Sequence, residues 1–324
     1  MSRDFISGFA SDLEDMIRLK VSLGYAESTY LERATGFDRY CYEKYPEKGE
    51  LTQAVVMDWL GAGQNGSGHC LHGKAAFVRA LGRYLASVGK TAYILPDRFT
   101  CGGTVFIPYL FGDSEMTKLF HEIDTYEYPK DPFRPILLSV YFRLTYTCGL
   151  RPGEGRNLKR NEVDLNTGEI RIIESKRRKS RIVVMSDEMS VLARTYAAIR
   201  DAAFKESSYF FPAPDGGPYS ATWMQGKFKR FFARSKPDTP KELLPSVRVY
   251  DLRHRFATAV LNRWLDEKKD LGSRLPYLQA YMGHKELEAT AYYIHLLPEN
   301  LVKSAGIDWE SMNQIIPRVE LWEK

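Results

Sequence analysis

Cysteine is scarce in this chain. There are four in 324 residues (Cys41, Cys70, Cys101 and Cys148), at spacings that form no metal-binding pairs. That usage excludes a disulfide scaffold and fits a reduced protein. His69, Cys70 and His72 stand close together, but no distant second pair completes a zinc set, so no metal is expected. No apolar run reaches the length of a membrane span. The opening MSRDFISGFASDLEDM carries acids where a signal peptide needs an apolar stretch. A cytoplasmic protein with no membrane partner is therefore expected. A glycine-rich phosphate loop, an obvious carboxylate pair for magnesium and an internal repeat are also missing. Membrane proteins and secreted scaffolds are set aside on these grounds.

What is present is an ordinary globular composition, 44% hydrophobic and 27% charged. The length allows two domains with separate cores. Charge is unevenly placed. Residues 1–105 balance 12 Lys/Arg against 12 Asp/Glu, so the whole excess of +5 lies beyond them. Between Arg151 and Arg181 there are ten basic residues and five acidic ones. A basic patch in one domain fits a polyanion, and it equally fits a solvated surface.

The first part reads as a small helical domain. Phe5, Phe9, Leu13, Met16 and Ile17 recur at helical spacing. A second helix is expected from Thr29, with Thr29 and Glu32 as a capping box and Tyr30, Ala34, Phe37 and Cys41 on one face. A third runs from Thr52 to Leu60, and a fourth carries Phe77, Leu81, Tyr84 and Val88. The glycine-rich stretch GAGQNGSGHCLHGK before it reads as a mobile loop. Periodicity fails between Lys90 and Gly112, where Pro96, Gly102, Gly103 and Pro108 mark a linker. Helical patterns resume near Ser114, and a strongly apolar helix runs from Pro135 into Cys148. Strands are expected at Glu162–Leu165, Glu169–Glu174 and Arg181–Met185, a three-stranded antiparallel meander. The rest is mostly helical. The fold class is mainly α with a small antiparallel β-sheet (α+β).

Four segments carry candidate chemistry. In TCGLRPGE, Gly149 ends one helix and Pro152 opens the next, which puts Arg151 at a helix N-terminus suited to an anion. Glu154, one turn on, is placed to orient that guanidinium. ESKRRKSR, Glu174 to Arg181, is a basic hairpin tip. In YDLRHRFAT, Asp251 can cap a helix, with Leu252, Phe256 and Val260 on its inner face. Arg253 then lies in the first turn, and His254 reads as a buried structural histidine. In MGHKELEATAYYIH, Gly283 and His284 form a turn, and Tyr293 follows nine residues after His284. Each segment alone is weak: an exposed ion pair, a solvated lysine, a core tyrosine.

Together and in order, these segments resemble the tyrosine recombinase (phage integrase) family. That family has an arginine in T-G-L-R-x-x-E, a lysine on a β-hairpin, H-x-L-R-H, L-G-H, and a tyrosine nine residues on, often followed by x-H. Arg151 and Glu154 match the first box, with Cys148 where threonine is usual. Lys176 matches the hairpin lysine, because Lys176 to Met185 aligns with K-x-x-K-x-R-x-V-P-L. Arg253 and His254 match the next box; His284, Tyr293 and His295 match the last, with Met282 for leucine. The resemblance covers about residues 114–297, and the preceding helices fit the family's core-binding domain. It implies a division into residues 1–105, a DNA-clamping half, and 106–324, a catalytic half.

The resemblance further implies a DNA strand transferase that uses neither ATP nor metal. Tyr293 would attack a DNA phosphodiester, leaving a 3′-phosphotyrosyl bond and a free 5′-hydroxyl. Arg151 and Arg253 would clamp the phosphate, Lys176 would protonate the leaving oxygen, and His284 would hydrogen-bond the phosphate. One position departs: Tyr250 stands where histidine is usual, sometimes lysine. A phenol can donate a hydrogen bond but holds its proton far above neutral pH, so Tyr250 is expected to stabilise rather than shuttle protons. Implied partners are double-stranded DNA, three further protomers in a tetramer on paired sites, and an accessory DNA-bending factor. A mobile element or phage is the implied source. The tail carries an apolar-faced helix (Trp309, Met312, Ile315, Ile316) that would pack on a neighbour or on its own domain. Two other readings remain: a type IB topoisomerase-like relaxing enzyme, and a catalytically weak architectural DNA-binding protein.

Overall fold

The computed structural model describes residues 5–46, 49–62, 68–99, 108–173 and 180–295, with the side chains at 68–70 and 295 excepted. The chain divides into two compact units, Met1–Phe106 and Ile107–Lys324. It is mostly helical, with one small antiparallel sheet among the described residues.

The first unit packs four helices: α1 (Ala10–Ser22), α2 (Ser28–Lys44), α3 (Gln53–Gly61) and α4 (Gly68–Ser87). Their apolar stripes meet in one core, where Phe37 lies edge-on to Trp59 and near Phe9 and Phe77. The Asp38 carboxylate accepts from the Ile6 and Ser7 amides, which fixes the entry to α1. Thr52 caps α3, accepting from the Val55 amide. The expected Thr29–Glu32 box does not form. Glu27 already has helical dihedrals, so α2 starts at Ser28 and Thr29 lies inside it, with no side-chain cap. The glycine-rich stretch is also not all loop: α4 begins at Gly68, and Lys74 within it donates to the Trp59 and Ala62 carbonyls.

The second unit holds α5 (Asp113–Asp124), α6 (Phe133–Thr147), α7 (Pro152–Asn157), α8 (Asp187–Ala203), α9 (Ala221–Arg234), α10 (Tyr250–Asp266), α11 (Leu271–Met282) and α12 (Glu288–His295). Helix α6 is its centre, burying Leu137, Leu138, Val140, Tyr141, Phe142, Leu144 and Thr145 against α5, α7, α8 and α10. Such near-complete apolarity marks a helix covered on several sides. A smaller core joins α10, α11 and α12 through Ala257, Leu261, Leu275, Leu278, Met282 and Tyr293.

Strands β1 (Glu169–Ile173) and β2 (Ser180–Val184) pair antiparallel, Arg171 opposite Ile182. The expected third strand is reduced to a single bridge, Val163 with Ile170. Arg160–Glu162 winds into a 3-10 turn instead, held by Arg160 on Asp201. The Asp164 carboxylate then accepts from the Asn166 and Thr167 amides and closes the turn after one bridge. Asp251 is not the cap of α10 either. It lies inside the first turn, its carboxylate accepting from the Arg248 amide at 2.7 Å. The buried face of α10 runs through Leu252, Arg253, His254, Ala257, Thr258 and Leu261, with Phe256 and Val260 only half-buried.

Candidate active site

Helix α6 ends where Gly149 takes a left-handed conformation (φ +60°), and the Leu150 amide returns to the Thr145 carbonyl. The reversal leaves Arg151 extended at the N-cap of α7, with Pro152 as the first helical residue. Glu154 reaches back, accepting from the Arg151 amide at 2.8 Å and from its Nη1 at 2.7 Å. Arg151 Nη2 donates to the Gly283 carbonyl. Glu154 thus orients the guanidinium as its spacing suggests.

A second guanidinium that the motifs did not single out shares this carboxylate. Arg181 of β2 donates Nη1 and Nη2 to the two Glu154 oxygens, at 2.9 and 2.7 Å. Its Nε donates to the Tyr281 carbonyl at 2.8 Å. Burial opposes ionisation of Glu154, but the hydrogen bonds and charge of Arg181, followed by those of Arg151, hold it below the usual carboxylate range.

Arg253, in the first turn of α10, is fully buried. Nη1 donates to the Gly149 carbonyl and Nη2 to the Met282 carbonyl. Nη2 also lies 3.1 Å from His284 Nε2. A guanidinium only donates, so this geometry makes Nε2 an acceptor and puts the imidazole proton on Nδ1. That nitrogen meets Thr290 Oγ1 at 2.8 Å. Arg253 Nε is buried without a partner among the described residues.

His284 follows Gly283, the left-handed cap of α11 (φ +64°), and its amide returns to the Gln279 carbonyl. Burial, then Arg253, Arg151 and Arg181, push its pKa down to about 4. His254 is buried too and lowered to about 4, first by burial and then by Arg248 and Arg253. It is not a fully satisfied core histidine, because Nδ1 has no partner among the described residues.

Tyr293 on α12 is 2% exposed. Its ring stacks on His284 (centroids 5.8 Å apart, planes 20°) and tilts against His254 at 5.4 Å. Burial pushes the phenol up to about 12, with Arg253 opposing. Tyr250 opens α10 half-buried, its ring 5.0 Å from His254. It faces a surface groove of about 590 Å³, which Pro152, Arg156, Gln225 and Arg248 also line.

Arg151, Glu154, Arg253, His254, His284, Tyr293 and Tyr250 are therefore brought together around the end of α11. Lys176 lies outside the described residues, as do the His295 side chain and the tail helix. The side chains of His69 and Cys70 lie outside them too, and no group of three metal-ligating side chains occurs among those described. No helix among the described residues is long and apolar enough to cross a membrane. Sequence reasoning missed Arg181, Thr290 and the carbonyls of Gly149 and residues 281–283. Arg181 stood in the hairpin motif without a role; the carbonyls had no sequence signal.

Comparison with known proteins gives a consistent result. The phage integrase family profile matches residues 112–300. Two putative integrase/recombinases of Sinorhizobium fredii are similar along nearly their whole length. One, y4rE, is 29% identical over 285 residues (87% of this chain, 90% of the relative). The other, y4rB, is 27% identical over 314 residues (93% and 96%). Tyrosine recombinase XerD of Ralstonia nicotianae is 31% identical over 163 residues, 49% of this chain and 48% of its own. Among solved structures, XerH site-specific recombinase in a post-cleavage complex with palindromic difH substrate superposes with a TM-score of 0.63 at 18% identity, covering 88% of this chain and 80% of that one. A lambda integrase dimer bound to a COC′ core site gives 0.59 at 14% identity, covering 86% and 95%. The structural likeness establishes the fold. The family profile spans more than half of the chain and includes the segments that carry Arg151, Arg253, His284 and Tyr293: this chain belongs to the phage integrase family, the tyrosine recombinases.

Proposed function

We propose that this recombinase breaks and rejoins double-stranded DNA at specific sites, with Tyr293 as the nucleophile. The observation that carries the reading is the convergence of Arg151, Arg253, His284 and Tyr293 on one helix end, from segments up to 142 residues apart in sequence. In the reaction, the Tyr293 oxygen bonds to phosphorus and the bond from phosphorus to the 5′-oxygen breaks. Two guanidiniums, Arg151 and Arg253, meet the charge gathering on the non-bridging oxygens. Arg253 Nε, buried without a partner among the described residues, supports that role, since a buried donor without an acceptor is costly unless a ligand supplies one. His284, neutral with Nε2 unprotonated and accepting from Arg253, takes the phenol proton as that arginine turns to the phosphate, and then donates to the phosphate. Lys176 gives its proton to the departing 5′-oxygen; that role rests on the motif alone. Tyr250 donates a hydrogen bond to the phosphate from the groove side. Glu154 and His254 position their neighbours. The free 5′-hydroxyl of another strand reverses the step, and the phosphotyrosyl bond conserves the energy for it.

The division of the chain after Phe106 supports assigning residues 1–105 to a DNA-clamping half and 106–324 to the catalytic half. Two sites exchanged at once call for four protomers, with an accessory bending factor where the site needs one. Relatives described as putative integrase/recombinases favour a mobile-element role. The test is Tyr293→Phe. Wild-type protein on site-bearing DNA should give an adduct that survives denaturing electrophoresis, and the variant should bind the DNA and give none. An adduct persisting in the variant would sink the assignment. Relaxation of supercoils without recombinant product would shift the reading to a topoisomerase.

A further inference from the structure

The end of α11 presents three successive carbonyls, each accepting from a different arginine: Tyr281 from Arg181, Met282 from Arg253, and Gly283 from Arg151. These belong to the last turn of a helix, where carbonyls lack intrahelical partners and the dipole favours cations. Two of the arginines are the proposed phosphate clamp. The third, Arg181, is turned away from that task. Its side chain is 11% exposed, it grips both oxygens of Glu154, and Gly283 lies so close that a Cβ there would sit 3.0 Å from its Nη1. Arg151, at 29% exposed, holds Glu154 through one nitrogen of its fork and the Gly283 carbonyl through the other. One carboxylate is thus shared between two guanidiniums of unequal depth.

We propose that Arg181 is a positioning residue for DNA cleavage: it neutralises Glu154, so that Arg151 keeps its charge for the phosphate. The proposal rests on the phosphotyrosyl reading above. Among the described residues, these three guanidiniums and one carboxylate sum to a formal charge of +2; without Arg181 they sum to +1. The stranded carboxylate, 12% exposed, would then draw Arg151 into a closed pair, at the cost of its bond to Gly283. A half-buried carboxylate of the same sign as the phosphate weakens transition-state binding more than ground-state binding, because the transition state carries more negative charge.

The test uses the full chain and a duplex carrying a junction mapped by sequencing Tyr293–DNA adducts. Arg181→Met should form adduct about 10- to 100-fold more slowly at saturating DNA, with apparent affinity within about threefold of wild type. Adding Glu154→Gln to Arg181→Met should recover about fivefold or more, because the stranded charge is gone. A double variant no faster than Arg181→Met overturns the proposal, and so does an affinity loss as large as the rate loss. Should Arg181→Met prove unfolded by circular dichroism, Arg181→Lys decides. With the charge kept, its rate should stay within about tenfold of wild type, and a larger loss in folded protein overturns the proposal. Wild-type adduct, abolished by Tyr293→Phe, reports separately on the underlying reading.

Discussion

His254 and His284 are both pushed down to about 4, whereas an imidazole in an unfolded chain titrates near about 6.5. Between those values the unfolded chain binds protons that the folded chain refuses. Stability therefore rises with pH across that window and is lost as pH falls below about 6.5. One such imbalance is worth about 1.4 kcal/mol per pH unit when fully developed. Acidification from about pH 6.5 to about pH 5 starts at half-titration, so each histidine costs about 1.5 kcal/mol and the pair about 3 kcal/mol. Glu154, held below its usual range, loses its contribution only below about pH 4.3 and does not overlap. Amide exchange of α10 measures the effect, since about 1.4 kcal/mol is tenfold in protection. Protection in α10 should fall about 100-fold over this interval in the wild type and only about tenfold in His254→Gln. Equal losses in the two proteins would refute the reasoning: His254 would then titrate alike folded and unfolded.

Two further outcomes follow from the geometry. Gly149→Ala drives a Cβ into the Phe256 ring at a φ of +60°. Left-handed strain and a forced shift of Phe256 should together cost about 2–4 kcal/mol, read by urea unfolding. Tyr250→Phe removes one donor near the phosphate. Single-turnover cleavage should fall about tenfold with little change in DNA binding; an unchanged rate would remove Tyr250 from the site.

Local signals in the sequence located the helix ends that build the site. Gly149 and Pro152 mark the reversal that exposes Arg151, and Gly283 marks the end of α11, because each acts within a few residues. Thr29 misled for the same reason: a capping residue one position inside a helix looks the same in sequence as one at its start. The third strand was overread because alternation in Glu162–Leu165 says nothing of the Arg160–Asp201 pair that holds the 3-10 turn before it. The family motif told which residue types belong together, but not what joins them. Glu154 and Arg181 are 27 positions apart, and Arg151 and the Gly283 carbonyl 132 apart. A carbonyl acceptor leaves no mark on residue identity, so the platform at residues 281–283 emerges only from the folded chain.

Tyr293 raises a further constraint on the chemistry. With its phenol at about 12, roughly one molecule in ten thousand is ionised at about pH 8. His284, the imidazole assigned its proton, stands at about 4. Transfer to it as a separate first step would climb eight pKa units, or about 11 kcal/mol, before any bond to phosphorus had formed. The proton must therefore leave as the oxygen–phosphorus bond develops, when the phenol oxygen loses its basicity. DNA itself lowers the climb. Arg253 and Arg151 are the charges that depress His284 after burial. A phosphate held between them offsets that charge and raises the imidazole toward its ordinary value. The site is a poor base without substrate and a better one with it, and Arg253, which donates to His284 Nε2, links the two states.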